Sequence, residues 1–179
     1  MASNSEPRYS DTPTYFFRPA READLPALTA IYNAAVVGSD FTGHFAPLTV
    51  EDRRFWWQSH LDPRYPILVA EDTADQTVLG YASLTAWSEG FPIYHHTAES
   101  SLYLAPAAQG RGLGTALMRA LLDTARQLDF HVVLSRIWAK NAASLAMCRK
   151  CGYEEVGTQR EVGQRNGQWD DCVLLQVIL

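Results

Sequence analysis

The sequence lacks the features that would mark a membrane, secreted or nucleic-acid-binding protein. No stretch approaches the roughly 18 apolar residues of a transmembrane helix, and residues 1–14 have no apolar signal-peptide segment. Its 15 Lys and Arg are outnumbered by 20 Asp and Glu, and they are scattered rather than gathered into the basic face that nucleic acids require. We therefore expect a cytoplasmic protein that binds neither membranes nor nucleic acid.

Cysteine is also scarce. Cys148, Cys151 and Cys172 are an odd number in a chain without a secretion signal, which favours reduced thiols. Cys148 and Cys151 form a C-x-x-C pair at the predicted end of a helix, whereas redox motifs place the reactive thiol at a helix N-terminus, and no second pair completes a zinc site. His95 and His96 likewise have no partners at metal spacing, so we expect no metal.

What the sequence does contain is enough apolar residues, 47%, for one sizeable core. Residues 1–13 offer almost nothing to bury and are predicted to be a disordered arm, with a single domain over 14–179. Hydrophobic periodicity predicts a mixed α/β (α+β) fold without internal repeats. The predicted strands are 15–18, 66–70, 78–87, 100–104, 132–138, 154–162 and 169–177, and the predicted helices are 24–38, 49–61, an amphipathic one from 113 and 142–150. Asp24 and Thr49 are the expected N-caps of the first two helices, and the strands at 66–70 and 78–87 are expected to form a hairpin. Phe55, Trp56 and Trp57 are expected on or near a buried face of the second helix.

The most informative segment is a strand, a glycine-rich turn and the start of a long helix at residues 102–115. Glycine allows positive φ and close backbone approach, so that consecutive N–H groups and the helix N-terminus can converge on one anion. A dinucleotide fingerprint beginning at Gly110 would need glycine where Thr115 stands. A P-loop would need glycine at 115 and lysine at 116, where Ala116 stands. Both motifs fail.

The spacing Gln109-x-x-Gly112-x-Gly114 instead resembles the coenzyme A signature of the GNAT family of N-acetyltransferases. A second motif of that family is matched by Asn141, Ser144, Gly152 and Tyr153. The resemblance covers almost the whole ordered chain and is closest to the phosphinothricin acetyltransferase-like branch. The segments that carry it include Arg18-Pro-Ala, Ile31-Tyr-Asn-Ala-Ala-Val, Tyr65-Pro-Ile-Leu-Val-Ala-Glu, Gly80-Tyr-Ala-Ser, Thr97-Ala-Glu-Ser-Ser-Leu-Tyr-Leu and Gly167-Gln-Trp-Asp.

The resemblance implies a central, mostly antiparallel mixed sheet flanked by about four helices, with acetyl-CoA as cosubstrate and a homodimeric state. Backbone groups of the strand would meet the pantetheine arm and thioester, the turn would hold the pyrophosphate, and an asparagine would lie nearby. The implied cofactor-binding residues are Leu102, Tyr103, Leu104, Gln109, Gly110, Arg111, Gly112, Leu113, Gly114, Thr115 and Asn141.

For the chemistry, the resemblance implies Glu99 as the general base that accepts the proton of the attacking amine. Cys148 occupies the position at which relatives carry a general acid, and it is either the donor to the departing thiolate or a small buried hydrophobe. Predicted substrate residues are Trp87, Ser88, His96 and Thr97. Ser88 stands where relatives generally have an arginine, so the branch does not fix the acceptor.

The expected activity is transfer of acetyl from acetyl-CoA to the amino group of a small amino acid or analogue, of the phosphinothricin or methionine sulfone/sulfoximine type. An α-amino group with a pKa of about 8 is easier to deprotonate than a lysine-like amine near 10.4. Two alternatives are a noncatalytic coenzyme A-binding module and a peptide or protein N-acetyltransferase. The apolar terminal strand at 172–179 could support a dimer or be buried within one subunit.

Overall fold

A computed structural model of the protein describes residues 14–179, except for the side chain of Glu89. The predicted arm at 1–13 lies outside the described residues. Seven strands form one sheet in the order β1-β2-β3-β4-β5-β7-β6. The strands are β1 Tyr15–Pro19, β2 Ile67–Asp72, β3 Val78–Ala86, β4 Thr97–Leu104, β5 Val132–Trp138, β6 Glu154–Arg165 and β7 Gln168–Ile178, and the helices are α1 Leu25–Gly38, α2 Val50–Gln58, α3 Leu113–Gln127 and α4 Ala142–Lys150.

The prediction of a mostly antiparallel mixed sheet with four helices is confirmed. All neighbouring strands are antiparallel except β4 and β5. Side chains alternate across a strand, so β2 buries Leu68 and Ala70 in one core cluster and Ile67 and Val69 in another. The first cluster contains the apolar stripe of α3, and the second lies on the opposite face, against α1 and α2. The central sheet is thus covered on both faces.

The parallel pair β4 and β5 is joined for only three residues. Thr97, Ala98 and Glu99 lie opposite residues 132–134, after which β4 has no partner strand on that side within the described part of the chain. All of β5 remains paired with β7 on its other edge. A parallel connection requires a crossover, which here is α3, and α4 begins soon after β5 ends. Both helices therefore start near the end of the sheet where the two strands separate.

Local details differ from the sequence prediction in α2 and at the start of α1. Thr49 caps α2 as predicted, with its Oγ1 accepting from the Asp52 N–H at 3.1 Å, but the helix ends at Gln58. Phe55 was expected on or near a buried face and is instead 82% exposed, while the buried residue of α2 is Arg53. The Asp24 carboxylate does not cap α1, because it accepts hydrogen bonds from Arg18 and from a backbone N–H in the preceding turn.

Candidate active site

The gap between β4 and β5 exposes backbone groups of β4. The Ala105 N–H donates to the Leu79 carbonyl at 2.9 Å, which fixes the phase of the antiparallel β3–β4 ladder. Since hydrogen-bonded and non-hydrogen-bonded pairs alternate, the backbone of Tyr103 pairs with β3, whereas Leu102 and Leu104 direct their N–H and C=O groups toward β5. Of the three strand residues predicted to meet the pantetheine arm, the ladder therefore turns these two toward the gap.

The glycine-rich turn lies directly beyond this gap. Gly110 and Gly112 adopt φ of +73° and +82°, and a Cβ on either would meet no atom of residues 14–179 within 4 Å. Gly112 is the left-handed N-cap of α3, so the first N–H groups of that helix, from Leu113 to Thr115, have no intrahelical partners. Space around the turn and unpaired amides at the positive end of a helix fit a phosphate group. Arg111 is exposed in the same turn.

Gly114 and Gln109 bring this turn close to β4. A Cβ on Gly114 would lie 3.4 Å from Leu104 Cδ1 and 3.7 Å from Leu102 Cδ2, so the absence of a side chain lets α3 approach the strand. Gln109 Nε2 donates to the Leu104 carbonyl at 3.4 Å. At the start of α4, Asn141 Oδ1 accepts from the Ser144 N–H at 3.1 Å and caps that helix. The contacts of Gly114 and Gln109 thus hold the N-terminus of α3 against the opening.

A cavity of about 360 Å³ lies on the face of β3 and β4 away from α3. Its floor is formed by alternate residues of the two strands, paired as Tyr81 with Tyr103, Ser83 with Ser101 and Thr85 with Glu99. The remaining lining residues are Tyr32, Arg53, Trp56, Ala86 and Arg136. The cavity has the volume of a small-molecule site.

Glu99 lies at one end of this floor, at the last pair that joins β4 to β5. Arg136 on β5 donates from Nε and Nη2 to the two carboxylate oxygens of Glu99, each at 2.8 Å. The hydrogen bonds to Glu99 raise the pKa of Arg136, so the guanidinium stays charged. Each carboxylate oxygen keeps a further lone pair for another donor.

The tyrosines at the other end of the floor are neutral at physiological pH. Burial raises the pKa of Tyr103 to about 12 and raises that of Tyr81 further. Burial also raises the pKa of Tyr32, whose hydroxyl lies 2.7 Å from His44 Nδ1. Neutral phenols keep their hydroxyl protons, so this end of the cavity offers hydrogen-bond donors and aromatic surface.

Cys148 lies outside the cavity. Its thiol is fully buried in the core cluster beneath α3, on the far face of the sheet from Glu99. Burial raises its pKa to about 12. The structure does not bring Cys148 and Glu99 together, and it favours the interpretation of Cys148 as a small core residue. All three cysteines are free, and within residues 14–179 no three His, Cys, Asp or Glu side chains are grouped to hold a metal.

The predicted substrate residues border the cavity rather than line it. Trp87 follows the lining residue Ala86, and its ring centroid lies 5.8 Å from the Arg136 guanidinium carbon. Ser88 is exposed in a turn with φ of +49°. His96 is exposed, with its Nδ1 2.6 Å from a loop carbonyl, and Thr97 lies at the start of β4 opposite Val132.

Sequence reasoning missed Arg53, Arg136 and Tyr32 as lining residues. Arg53 and Arg136 look like ordinary charges on a helix and a strand, and Tyr32 fits the apolar stripe of α1. A weak signal exists for Arg53, since Trp56 follows it by three residues and the two therefore share a helix face. Nothing in the sequence brings that face onto β3.

The two parallel strands of the mixed sheet separate beside unpaired backbone amides, and a small-molecule cavity lies next to them. This arrangement suits an elongated, phosphate-bearing cosubstrate and a second small ligand. The chain belongs to the acetyltransferase (GNAT) family, which matches residues 12–153. No helix of the described residues has the length and apolar character to cross a membrane.

Three similar proteins are themselves acetyltransferases. The L-methionine sulfoximine/L-methionine sulfone acetyltransferase of Pseudomonas aeruginosa is 39% identical over 90% of this chain and 93% of its own length. A phosphinothricin acetyltransferase from Sinorhizobium meliloti, solved in complex with acetyl-CoA, has a TM-score of 0.86 and 30% identity, covering 93% of this chain and 89% of that one. The ribosomal-protein-alanine N-acetyltransferase of Brucella melitensis has a TM-score of 0.85 and 40% identity, covering 92% and 99%. The chain is an N-acetyltransferase that uses acetyl-CoA as its cosubstrate.

Proposed function

We propose that residues 14–179 form a single acetyltransferase domain that transfers acetyl from acetyl-CoA to the amino group of a small amino acid or amino-acid analogue. The observation that carries this proposal is the position of Glu99. Its carboxylate lies in the wall of a 360 Å³ cavity, at the last residue pair before β4 and β5 separate. An amine in the cavity thus lies between an acidic side chain and the gap that is to hold the thioester.

The residues that would hold acetyl-CoA are those of the gap and the turn. Leu102 and Leu104 offer backbone groups to its pantetheine arm, while the amides from Gly110 to Thr115 face its pyrophosphate. Acetyl-CoA supplies an acetyl group activated as a thioester. A backbone N–H near Leu104 is suited to bind the thioester oxygen, because such a donor is fixed in place before the reaction.

Glu99 is the proposed general base. The acceptor binds with its ammonium near the carboxylate, which takes one proton and leaves a neutral amine. The amine nitrogen then bonds to the acetyl carbon as the carbon–sulfur bond breaks, while both substrates are bound, and the thiolate leaves with a proton from solvent or from the amine. Arg136 holds the Glu99 carboxylate in one orientation without occupying all of its lone pairs.

The names of the relatives support a small acceptor of the methionine sulfone, methionine sulfoximine or phosphinothricin type. The Brucella neighbour favours a second candidate, an N-terminal alanine of a protein. Cavity size favours the first, since about 360 Å³ accommodates an amino acid rather than a folded chain end. A dimer, as the resemblance implies, is part of the proposal, and light scattering during gel filtration would test it.

The test is release of coenzyme A thiol with methionine sulfone, methionine sulfoximine, phosphinothricin and an alanine-terminated peptide as acceptors. Glu99→Gln should lower kcat roughly 10²-fold or more, as expected for loss of a general base, while calorimetry shows unchanged affinity for acetyl-CoA. Glu154→Gln, at an exposed residue at the start of β6, is the matched control. Glu99→Gln turning over as fast as the wild type would remove Glu99 from the mechanism, and turnover of the peptide alone would favour the second candidate.

A further inference from the structure

Arg53 is a buried cation that has no carboxylate partner among residues 14–179. Only 6% of the residue is exposed. Its Nη2 donates to the Tyr81 hydroxyl at 3.1 Å, and its Nε has no hydrogen-bond partner in the described part of the chain. Burying a charge without an ionic partner costs free energy, so a protein that does so needs a compensating interaction or a ligand.

Aromatic rings supply part of that compensation. The guanidinium carbon lies 3.7 Å from the ring centroid of Trp56 and 4.6 Å from that of Tyr32. These contacts stabilise the charge through the faces of the rings and hold the guanidinium in place. They use the π faces and leave N–H donors of Arg53 unused.

The unused donors belong to a residue that lines the same cavity as Glu99. Ser83 lines it too, and its buried Oγ also has no partner among the described residues. Arg53, Arg136 and Glu99 are the charged residues of the lining, and the last two neutralise each other as an ion pair. One positive charge is left over, so the cavity is suited to an anionic ligand.

We propose that Arg53 binds the carboxylate of the amino-acid acceptor and thereby selects amino carboxylates over other amines. The proposal rests on the acetyl transfer argued above and adds the acceptor's recognition group. A guanidinium offers paired donors that match a carboxylate, and the attacking form of an amino acid, with a neutral amine, carries the single negative charge that the cavity lacks. Polyamines and simple alkylamines bring no such charge.

Arg53 and Glu99 belong to opposite ends of the cavity floor. Arg53 contacts the hydroxyl of Tyr81 at the Tyr81–Tyr103 pair, and Glu99 belongs to the Thr85–Glu99 pair, about 13 Å further along the strand backbone. The Ser83–Ser101 pair lies between them. The carboxylate and the amine of an amino acid are attached to one carbon, so an acceptor bound to Arg53 keeps its amine in the same cavity as Glu99.

The experiment compares methionine sulfone with 3-(methylsulfonyl)propan-1-amine, the same molecule without its carboxylate. Arg53→Met should lower kcat/KM for methionine sulfone about 30-fold or more, as for loss of one partner of a buried charge pair, and change that of the amine less than about threefold. Arg53→Lys, which keeps the charge but not the paired donors, should fall between. Arg54→Met is the matched control, since the neighbouring arginine is paired with Glu22 and Glu51 away from the cavity.

Equal losses for both acceptors, or no loss for methionine sulfone, would overturn the proposal while leaving acetyl transfer in place. Calorimetry of methionine sulfone binding without acetyl-CoA gives a readout that needs no turnover. Binding by the wild type that is lost in Arg53→Met supports the carboxylate site even if no acceptor is acetylated. Unchanged acetyl-CoA affinity and circular dichroism establish that Arg53→Met is folded.

Discussion

Replacement of Cys148 by alanine distinguishes its two possible roles, core residue and proton donor, because they predict very different values of kcat. The thiol is fully buried in the core beneath α3, on the other face of the sheet from the cavity. Alanine removes one buried heavy atom, comparable to the loss of a methyl group, so we expect a cost of about 1 kcal/mol in the free energy of unfolding. For a chain of this size the corresponding fall in Tm is about 2 to 4 °C.

Turnover should be almost unaffected by the same change. If Cys148 is a core residue, kcat of Cys148→Ala with methionine sulfone stays within about threefold of the wild type. If it donated a proton to the departing thiolate, kcat would fall roughly 10²- to 10⁴-fold. A loss of that size in a folded variant with normal acetyl-CoA affinity would refute the placement argued from burial.

The pH dependence of stability gives a second check on the same residue. Burial raises the Cys148 thiol pKa from 9.0 to about 12, so the folded state favours the neutral form. That contribution is fully present below pH 9 and is lost as the pH rises from 9 through 12, because the unfolded chain ionises first. The stability advantage of the wild type over Cys148→Ala in urea denaturation should therefore shrink above pH 9. A constant difference up to the highest measurable pH would contradict the buried thiol.

Three further changes test other parts of the structure. Gly112→Ala should lower acetyl-CoA affinity in calorimetry and destabilise by about 1 kcal/mol, because alanine is strained at φ +82°. Gly80→Ala should destabilise by roughly 1 to 3 kcal/mol in urea denaturation, because its Cβ would lie 2.8 Å from the Tyr103 carbonyl oxygen. Asp24→Asn should destabilise at pH 7, and its difference from the wild type should vanish as the pH falls through the folded pKa of Asp24, which the Arg18 guanidinium lowers.

A control variant or a contrary outcome checks each of these three predictions. Gly43→Ala and Gly38→Ala place a Cβ in open space at ordinary φ and should be close to neutral in stability and in acetyl-CoA affinity. For Asp24→Asn, a deficit that persists unchanged at acid pH would show that the ion pair with Arg18 is not its source.

The elements of the fold were readable from the sequence because each has a strong local signal. The stripe of α3, the Thr49 cap and the hairpin of β2 and β3 follow from spacing and turn residues, and the structure has them where predicted. The glycine-rich turn was readable for the same reason, since Gly110 and Gly112 do adopt the positive φ that makes glycine necessary.

The part of the cavity proposed to bind the acceptor could not be predicted from the sequence, because contacts between different helices and strands form it. The sequence analysis assigned the aromatic residues of α2 to its buried face and did not expect the charged Arg53 on that face. Phe55 proved exposed, while Arg53 is enclosed by Trp56 from its own helix and by Tyr32 from α1. Residues of α1, α2, β3 and β4 meet at that point, and no periodicity within one element specifies the meeting.

The ion pair of Glu99 and Arg136 orients the Glu99 carboxylate more than it stabilises the fold. Arg136 is about half exposed, and pairs of such exposure contribute about 0 to 1 kcal/mol. Its two parallel hydrogen bonds nevertheless fix the plane of the Glu99 carboxylate at the point where β4 and β5 separate. Arg136 is paired with Glu99, whereas Arg53 has no ionic partner among residues 14–179, so the two ends of the cavity differ in charge. In the proposed acceptor complex, the carboxylate of the amino acid therefore meets its counter-charge at Arg53, and its amine meets a proton acceptor at Glu99.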